Sequence, residues 1–474
     1  MEVPHEILAM FHLMADNSAE RNVMSDKKTP HPQFSAETKA IETAPTVDPS
    51  TYRGWKTLAL RNELIEVQVA PAIGGRVIQL KLGDFEFFFV CSDLAGKPPP
   101  PTGLDPQGAW LNYGGEKLWP APQGWGEGDQ WPGPPDAILD GSPHQGEILR
   151  LPSGTGIVRL TSQKDSRSGL QISRTLEAFA GSTRVRLCAT MTNIDTRPRR
   201  WGIWSVAQQN GADRAGTGAE KKLRVYCPLN PESIYPDGYK VMFGLANNNS
   251  WLPDREQGMM RVHFQRRVGK IGLDSSAGWV ATVNGSAGKV FVQRFEFLSD
   301  REYPDDASVE IWLQGLGQFI VDGKFIELED NLKDSPFLIE TELLGPLTRL
   351  EPGASSDFTY DWYATTVGGD HPVVDCTRAG VTCQELLATR SEGTITLAGL
   401  FGVFYVGTVR AVFQDANGEP IGLPVGNWAA SPLHAFTPSG EVPLSVPTGA
   451  RTISLDLFDR SGRDVGVLAR TELP

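Results

Sequence analysis

The stretch from Trp55 to Val90, WKTLALRNELIEVQVAPAIGGRVIQLKLGDFEFFFV, decides the fold. Its apolar residues fall in short runs, and Leu64–Val69 is rich in the residue types that favour strands. Arg61-Asn62 predicts a turn between two strands. Gly74-Gly75 predicts a bend, because glycine adopts backbone conformations that other residues avoid. Further strands are predicted at Val77–Leu82 and Phe85–Val90. The stretch therefore indicates a series of consecutive β-strands.

The same pattern continues along the chain, where short strands alternate with turn signals and helical periodicity is nearly absent. The predicted strands include Ile148–Leu151, Ile157–Ser162, Leu170–Glu177, Thr183–Asn193, Trp201–Gln208, Leu223–Tyr226, Met260–Phe264, Gly278–Val283, Val290–Phe297, Ser308–Leu313, Phe337–Leu343 and Asp357–Thr365. Fifty glycines and thirty-five prolines fit a β protein with many loops. The pattern predicts an all-β fold built on a large antiparallel sandwich.

Four segments are predicted from the changes in composition. Residues 1–50 are polar and aperiodic and are expected to be a disordered tail or linker, with order beginning near Trp55. Residues 51–368 form the large sandwich, and residues 369–392 form a linker with a possible short helix at Cys383–Thr389. Residues 393–474 are predicted to form a small immunoglobulin-like β-sandwich, with turn signals at Asn417-Gly418 and Ser461-Gly462. No chemical motif marks this last segment, so a packing or spacer role is favoured.

Charge and motifs exclude several classes of function. A net charge of −13 and the lack of a basic cluster argue against a nucleic-acid partner. No run of eighteen apolar residues occurs, so no membrane span is predicted. Dinucleotide, nucleotide and metalloprotease motifs are missing, and we expect no cofactor and no metal. The acidic turn with Asp300, Asp305 and Asp306 is more typical of a solvated loop than of a calcium site.

Cysteine usage and the N-terminus bear on the compartment. The five cysteines are scattered, so free thiols are favoured over a bridge between Cys376 and Cys383. The apolar run from Ile7 to Ala15 follows Glu2 and Glu6, where a signal peptide carries basic residues. This favours the cytoplasm, although another start site would leave the periplasm or secretion open. The sequence sets no oligomeric state.

The segment from Asn112 to Trp131, NYGGEKLWPAPQGWGEGDQW, is the first candidate for a site. Its glycines and prolines predict a long, bent loop rather than a helix or a central strand. Its aromatic content predicts that this loop packs. Indole faces beside polar groups suit sugars, which have apolar faces and hydroxyl rims. The alternative is a plug that closes one end of the sandwich. The substrate-binding candidates here are Asn112, Lys117, Trp119, Gln123 and Trp125.

Carboxylates on predicted strands are the candidates for chemistry. Side chains of a strand alternate between faces, so Glu340 and Glu342 share a face about 7 Å apart. Two close carboxylates split their pKa values, which lets one act as an acid and the other as a base. The alternative is two acids on the solvent face of an edge strand. Glu310 is a third catalytic candidate, since it shares a face with Trp312 on Ser308–Leu313.

The strand Trp201–Gln208 adds two binding candidates. Trp204 and Gln208 lie on the same predicted face, which combines a stacking surface with an amide that both donates and accepts hydrogen bonds. A single tryptophan is more often a core residue than a binding platform. Three strands that each present an indole or a carboxylate favour a site.

Three segments carry a resemblance to aldose 1-epimerases, which are galactose mutarotase-like proteins. PAIGGRVIQLKLGD, residues 71–84, resembles their early strand–turn–strand with Gly-Gly-Arg. Residues 189–208 resemble their sugar-site strand, and FLIETELLGPL, residues 337–347, resembles their closing glutamate-bearing strand. The whole set looks like an uncharacterised bacterial family of mutarotase-like domains, covering residues 55–366. The resemblance implies a galactose mutarotase-like β-supersandwich with a sugar cleft on one sheet.

The resemblance also assigns roles. It implies that Glu340 or Glu342 is the catalytic base and that Arg76 binds a sugar hydroxyl or carboxylate, with a salt bridge that holds the turn as the alternative. The sequence departs from the family because the histidines are missing: Asn112-Tyr113-Gly114-Gly115 stands where the family has His-Gly-Gly, and Ile203 or Trp204 stands at the second histidine. His144 is the nearest histidine and is out of register.

The sequence therefore predicts a carbohydrate-active protein that binds a sugar or oligosaccharide in a tryptophan-lined cleft. Two reactions fit its carboxylates: epimerisation at an anomeric carbon and cleavage of a glycosidic bond. A non-catalytic carbohydrate-binding protein without the epimerase histidines is the alternative. A purely structural module is the third hypothesis.

Overall fold

The computed structural model describes residues 44–100, 110–124, 130–321, 324–331, 335–391, 394–439, 441–443 and 446–474. The strands of the first half are β1 Thr46–Tyr52, β2 Trp55–Arg61, β3 Ile65–Ala70, β4 Arg76–Leu82, β5 Phe85–Glu86, β6 Glu116–Ala121, β7 Gln145–Arg150, β8 Gly156–Thr161, β9 Leu170–Ala178, β10 Val185–Asn193, β11 Arg199–Asn210, β12 Leu223–Pro228, β13 Lys240–Gly244, β14 Trp251–Asp254, β15 Met259–His263 and β16 Gly269–Leu273.

The second half contains sixteen more strands: β17 Trp279–Asn284, β18 Lys289–Phe295, β19 Val309–Leu313, β20 Gly317–Val321, β21 Lys324–Leu328, β22 Leu338–Leu344, β23 Thr348–Leu350, β24 Ser355–Thr366, β25 Asp375–Cys376, β26 Gly380–Ser391, β27 Thr394–Val403, β28 Gly407–Gln414, β29 Pro420–Ala430, β30 Glu441–Pro443, β31 Thr452–Asp459 and β32 Asp464–Glu472. Within the described residues the only helical segments are two 3₁₀ turns, Ser92–Leu94 and Pro304–Asp306. The predicted all-β fold is confirmed.

Two large antiparallel sheets form the body of the protein. The first has twelve strands, ordered β1-β2-β3-β4-β6-β11-β22-β19-β16-β13, with β5 beside β4 and β23 beside β11. The second has ten strands, ordered β14-β15-β12-β17-β18-β24-β10-β9-β8-β7. Apolar side chains from both sheets, such as Val67, Leu343 and Trp362, belong to one buried cluster. Burying this apolar surface is the main driving force for stacking the sheets.

Two smaller four-stranded sheets follow; β25 and β26 lie in residues 369–392, which were predicted to be a linker, and the other six strands lie in the predicted small sandwich. Their orders are β25-β26-β27-β30 and β29-β28-β31-β32. They share a second apolar cluster that includes Phe401, Phe413 and Leu457. All described residues from Ala44 to Pro474 fall in one compact unit. The turns at Asn417-Gly418 and Ser461-Gly462 join antiparallel pairs, and both glycines have positive φ.

Three local predictions were wrong. The possible helix at Cys383–Thr389 is part of β26, because this segment pairs with β27 and buries Cys383 and Leu386 in the second cluster. The strand predicted at Phe85–Val90 is regular only over Phe85–Glu86 and then forms single bridges at Phe88 and Val90. Regular structure also begins before Trp55, with β1 pairing along β2. In each case pairing between strands, rather than the propensity of the segment alone, decides the structure.

The correction with the largest consequence concerns Asn112–Trp131, where Glu116–Ala121 is a strand rather than loop. This strand, β6, lies in the middle of the twelve-stranded sheet between β4 and β11. The ladder to β4 contains one residue pair, Val77 with Glu116, whereas β11 pairs along the whole of β6. Pro120 is tolerated because its part of β6 pairs with β11 alone, so only one side of the backbone needs ladder hydrogen bonds.

The Gly74-Gly75 bend is present between β3 and β4. Both glycines have positive φ, 74° and 59°. A Cβ on Gly74 would lie 2.1 Å from the carbonyl oxygen of Asp140, so no larger residue fits there. The bend therefore brings the chain at Asp140 against the start of β4, where Arg76 lies.

Candidate functional site

Strand register in the larger sheet places the predicted site residues in three rows on one face, called the polar face below. The first row contains Trp119, Trp204 and Leu344. The second contains Lys117, Val206, Glu342 and Glu310. The third contains Gln208, Glu340, Trp312 and Lys270. Alternate residues on these strands point to the second sheet, where Glu116 contacts Arg174 and Thr341 contacts Gln293. Alternation therefore turns the polar face away from the second sheet.

One lysine joins two of the candidate carboxylates. Lys270 Nζ lies 2.6 Å from Glu310 Oε2 and 2.9 Å from Glu342 Oε2. The indole of Trp204 donates a hydrogen bond from Nε1 to the same Glu342 oxygen, at 2.7 Å. All four side chains are buried. The ammonium also lies over the Trp204 ring, 4.5 Å from its centroid, which is cation–π geometry.

The charge count of this group explains its proton affinities. Burial raises the pKa of Glu342 to about 8; Lys270 opposes the rise, and Glu310 and Glu340 add to it. Burial acts to lower the pKa of Lys270, but Glu310 and Glu342 outweigh it and hold that pKa above its ordinary value. One ammonium between two carboxylates neutralises one of them, so the other binds a proton more readily. Lys270 therefore stays charged, and Glu342 holds a proton near neutral pH.

A second lysine, Lys117, forms an ion pair with the remaining candidate carboxylate, Glu340. Lys117 Nζ lies 3.4 Å from Glu340 Oε1, which also accepts a hydrogen bond from Gln208 Nε2 at 2.6 Å. The ammonium lies 5.0 Å from the ring centroid of Trp110 and 4.9 Å from that of Trp119. Burial lowers the pKa of Lys117 to about 8, although Glu340 opposes that shift. Lys117 is thus able to gain or lose a proton near neutral pH, whereas Lys270 is not.

Four indoles lie together at one end of the polar face. The ring centroids of Trp119 and Trp131 are 4.9 Å apart, and those of Trp119 and Trp204 are 5.4 Å apart. Trp110 lies 6.3 Å from Trp119. The indole of Trp131 is fixed by a hydrogen bond from Nε1 to Asp136, whereas Trp119 Nε1 has no partner among the described residues. The cluster joins β6 and β11 to the chain segments before and after β6.

Arg76 continues the second row on β4, since Val77 pairs with Glu116. Its Nη2 lies 2.5 Å from Asp140 Oδ1, and both side chains are fully buried. Trp110 donates to the other Asp140 oxygen at 2.8 Å. The salt bridge of the alternative prediction is therefore present at the turn. Arg76 Nε and Nη1 have no hydrogen-bond partner in the described part of the chain.

The remaining predicted residues are placed differently. Trp312 is half-buried beside Glu340, donates to Gln314 at 2.9 Å and packs edge-to-face on Phe243. The Asn112 side chain accepts a bond from the backbone of Gly114 within its own turn. Gln123 forms a bridge with Trp131. These contacts bring neither Asn112 nor Gln123 to the carboxylates. Trp125 lies outside the described residues.

Lys117 and Glu116 are neighbours in sequence but have different partners. The two residues are neighbours on β6, so their side chains point to opposite faces. Glu116 instead bonds Arg174, Ser205 and Tyr360 between the two sheets. Lys117 reaches Glu340, 223 residues further along the chain.

Sequence reasoning missed three residues of this face: Lys270, Trp110 and Trp131. Lys270 lies on β16, a short strand with two glycines that was not predicted. The only sequence feature that marked Lys270 was a single basic residue within an apolar run. Trp131 ended the quoted tryptophan-rich segment but was not selected, and Trp110 precedes that segment. Lys270 reaches Glu342 across 72 residues of sequence, whereas Trp110 and Trp131 lie on either side of β6 and both pack near Trp119.

His144 and Asp305 lie near the polar face without joining its hydrogen bonds. A Cβ on Gly75 would lie 2.2 Å from His144 Nδ1, so this histidine sits against the Gly74-Gly75 bend. Burial lowers the pKa of His144 to about 3, and Arg174 and Arg76 add to the effect. For Asp305 the shift is in the other direction: burial raises its pKa to about 6, and Glu310 adds to that rise. His144 is therefore neutral at physiological pH.

Several buried polar atoms of the polar face have no hydrogen-bond partner among the residues that the structure describes. They are Trp119 Nε1, Gln208 Oε1, Glu310 Oε1, Glu342 Oε1 and the two Arg76 nitrogens. A buried polar atom without a partner costs roughly 1–3 kcal/mol. Such atoms usually mark a place where water or a ligand binds. Here they occur beside aromatic rings.

The described residues contain no cluster of metal-ligating side chains and no helix suited to span a membrane. No group of three or more histidine, cysteine, aspartate or glutamate side chains within them is arranged to hold a metal ion. In the same part of the chain no helix has the length and apolarity needed to cross a membrane. The five cysteines are free, and Cys227, Cys376 and Cys383 are buried.

Solved structures similar to this chain include galactose mutarotase-like proteins. One from Clostridium acetobutylicum is 11% identical and covers 68% of this chain and 99% of its own, with a TM-score of 0.41. A galactose mutarotase related enzyme from Lactobacillus acidophilus is 11% identical, with coverages of 66% and 98% and a TM-score of 0.38. A TPR-domain containing protein from Parabacteroides distasonis is 14% identical, with a TM-score of 0.43. The match covers 67% of this chain but only 48% of that one.

No curated protein matches the sequence. The sequence profile of one family, described as domain of unknown function DUF4380, matches residues 55–365. This range is most of the described chain, and it includes every residue of the polar face and all strands of the two large sheets except β1 and the last residue of β24. An uncharacterised family was expected from the sequence motifs, and this is confirmed. The chain belongs to the DUF4380 family.

Proposed function

We propose that this protein binds a sugar at the polar face, with the indoles of Trp119 and Trp204 contacting its apolar side. The observation that carries the proposal is the coincidence of buried, unpartnered hydrogen-bonding atoms with clustered indoles on one sheet face. Sugars combine hydroxyl groups with apolar C–H surfaces, so they satisfy both features at once. An apolar ligand would leave the carboxylate oxygens without partners.

If the protein is an enzyme, Glu342 and Glu340 are the proposed acid and base. Burial raises the pKa of Glu342 to about 8, so this residue carries a proton that it can donate at neutral pH. Glu340 is the least buried of the three carboxylates, with 13% of its side chain exposed, and it accepts from Lys117 and Gln208. This pair fits epimerisation at an anomeric carbon, in which one group donates a proton while another accepts one.

A non-catalytic carbohydrate-binding protein is the second candidate. The observation in its favour is that each candidate acid or base is already bonded to a lysine, at 3.4 Å for Glu340 and 2.9 Å for Glu342. His144, which lies against the Gly74-Gly75 bend, is half-buried and neutral at physiological pH. Such a network can serve binding without proton transfer.

Tryptophan fluorescence tests the binding proposal directly. A panel of monosaccharides and oligosaccharides is titrated into the protein, and we expect saturable quenching by at least one sugar. The Glu351→Gln variant is the matched control, because that carboxylate is exposed and its ion-pair partner, Arg349, is exposed as well. No response to any sugar in the panel would reject the proposal.

Polarimetry separates the two candidates once a sugar is known. The rate of mutarotation is measured with wild type, Glu342→Gln and Glu351→Gln at equal concentrations. An enzyme should lose at least about a hundredfold in rate with Glu342→Gln, the usual contribution of a general acid or base. Saturable binding without any acceleration by wild type would support the non-catalytic protein.

A further inference from the structure

Glu310 and Glu342 are joined in an arrangement that leaves matching atoms open. They are directly opposite each other on β19 and β22. Lys270 holds the Oε2 atom of each, at 2.6 and 2.9 Å. The Oε1 atom of each is buried and has no partner among the described residues. Side chains directly opposite on antiparallel strands have Cβ atoms about 5 Å apart, so the two open oxygens belong to one small region.

We propose that Glu310 Oε1 and Glu342 Oε1 together bind two neighbouring hydroxyl groups of the ligand, with Lys270 fixing both carboxylates. The inference rests on the proposed sugar binding and specifies what the site recognises. Two adjacent hydroxyls of a pyranose or polyol present two hydrogen-bond donors side by side. Each open carboxylate oxygen accepts one of them, and a protonated Glu342 instead donates to a hydroxyl oxygen.

Charge distinguishes hydroxyl groups from the other possible ligands of this pair. The position between the two carboxylates is already taken by the Lys270 ammonium, so a metal ion or a ligand cation would meet like charge there. An anionic group such as a uronate carboxylate would meet two acidic side chains. Neutral hydroxyls avoid both repulsions and satisfy both oxygens. The indole of Trp204, which bonds Glu342 and lies under Lys270, keeps this geometry fixed.

Asp305 and Lys240 are the nearby charged groups on the adjacent 3₁₀ turn and on β13. Lys240 bonds the backbone carbonyl of Asp305, so its ammonium is directed to that turn rather than to the carboxylate pair. The Asp305 carboxyl adds a third acidic group close to Glu310. This further disfavours an anionic ligand at the pair.

The test compares a sugar with its deoxy analogues in three proteins. A monosaccharide that quenches the fluorescence of wild type is taken as the parent, and each of its monodeoxy analogues is titrated into wild type, Glu310→Gln and Glu351→Gln. We expect two adjacent positions at which loss of the hydroxyl weakens binding to wild type and to Glu351→Gln by about tenfold or more, since bonds to charged groups contribute about 1.5–3 kcal/mol. In Glu310→Gln, the loss at one of these positions should shrink to about twofold.

Two outcomes would overturn the inference while leaving the proposed sugar binding intact. Equal weakening of every deoxy analogue in wild type and Glu310→Gln would mean that Glu310 contacts no hydroxyl. The uronate that corresponds to the parent sugar is titrated into wild type as well, and tighter binding of this uronate than of the parent would mean that an anion is preferred. Failure of every sugar to bind wild type would reject the sugar proposal itself, and the hydroxyl pair with it, so the two failures are distinguishable. Glu310→Asp keeps the negative charge beside Lys270, but its shorter side chain moves the carboxylate oxygens away from the ligand. This variant replaces Glu310→Gln if the glutamine variant does not fold.

Discussion

Glu116 and Glu342 are both buried carboxylates on the same sheet, but their surroundings differ. Glu116 faces the second sheet, and both of its oxygens are bonded: Oε2 to Arg174 at 2.5 Å, and Oε1 to Ser205 and Tyr360. Glu342 faces the opposite way and shares one lysine with another acid, and its Oε1 has no partner among the described residues. A complete network of this kind stabilises the fold. An incomplete one is typical of a binding site, because a ligand supplies the missing bonds.

The largest effect should come from breaking the complete network. Arg174→Met leaves Glu116 buried without its cation, and we expect a loss of about 3–5 kcal/mol in the free energy of unfolding. The measurement is urea denaturation at pH 7. The double variant with Glu116→Gln should recover part of this loss, because no charge is then left unpaired. A loss of less than about 1 kcal/mol from Arg174→Met would contradict a structural role for this pair.

An intermediate effect should come from removing the proton of Glu342. Its pKa is raised in the folded state, from 4.5 to about 8, so the folded protein binds a proton that the unfolded chain releases between these values. The contribution of this bound proton to the free energy of unfolding is therefore complete below pH 4.5 and is lost as the pH rises through about 8. The slope is at most about 1.4 kcal/mol per pH unit.

Glu342→Gln removes this contribution, so the stability advantage of wild type over the variant should fall as the pH rises from 5 to 8. The measurement is urea denaturation at several pH values, with Glu351→Gln as the control that keeps the wild-type slope. An advantage that stays constant or grows with pH would show that Glu342 is ionised throughout this range.

The smallest effect should come from a matched pair of indoles within the cluster. Trp119→Phe removes a ring nitrogen that has no described partner, whereas Trp131→Phe removes one that bonds the buried Asp136. We therefore expect Trp131→Phe to be less stable than Trp119→Phe by roughly 1 kcal/mol, as both lose similar ring volume. Sugar-induced quenching should show the reverse order, with the greater loss of affinity in Trp119→Phe. If the two variants lost equal stability and equal sugar affinity, the proposed distinction between the two indoles would be contradicted.

Much of the polar face could be predicted from the sequence, because strand alternation is a local property. Glu340 with Glu342, Glu310 with Trp312, and Trp204 with Gln208 were each assigned to a common face, and the register agrees. The lysines could not be paired with their acids in this way. Lys270 meets Glu342 across 72 residues of sequence, and no local pattern records such a contact. The strand β6 was also missed, since its proline and flanking glycines resemble those of a loop.

The sequence by itself determined the all-β class, the family and the side chains that share a face, because residue type and a period of two act within each strand. Only the tertiary structure decided that β6 is central, that Glu116 and Lys117 serve opposite faces, and that one ammonium is shared by Glu310 and Glu342. These features depend on which strands are neighbours and in what register. That choice is set by burying the apolar surface of the whole sheet, not by the residues of any one segment.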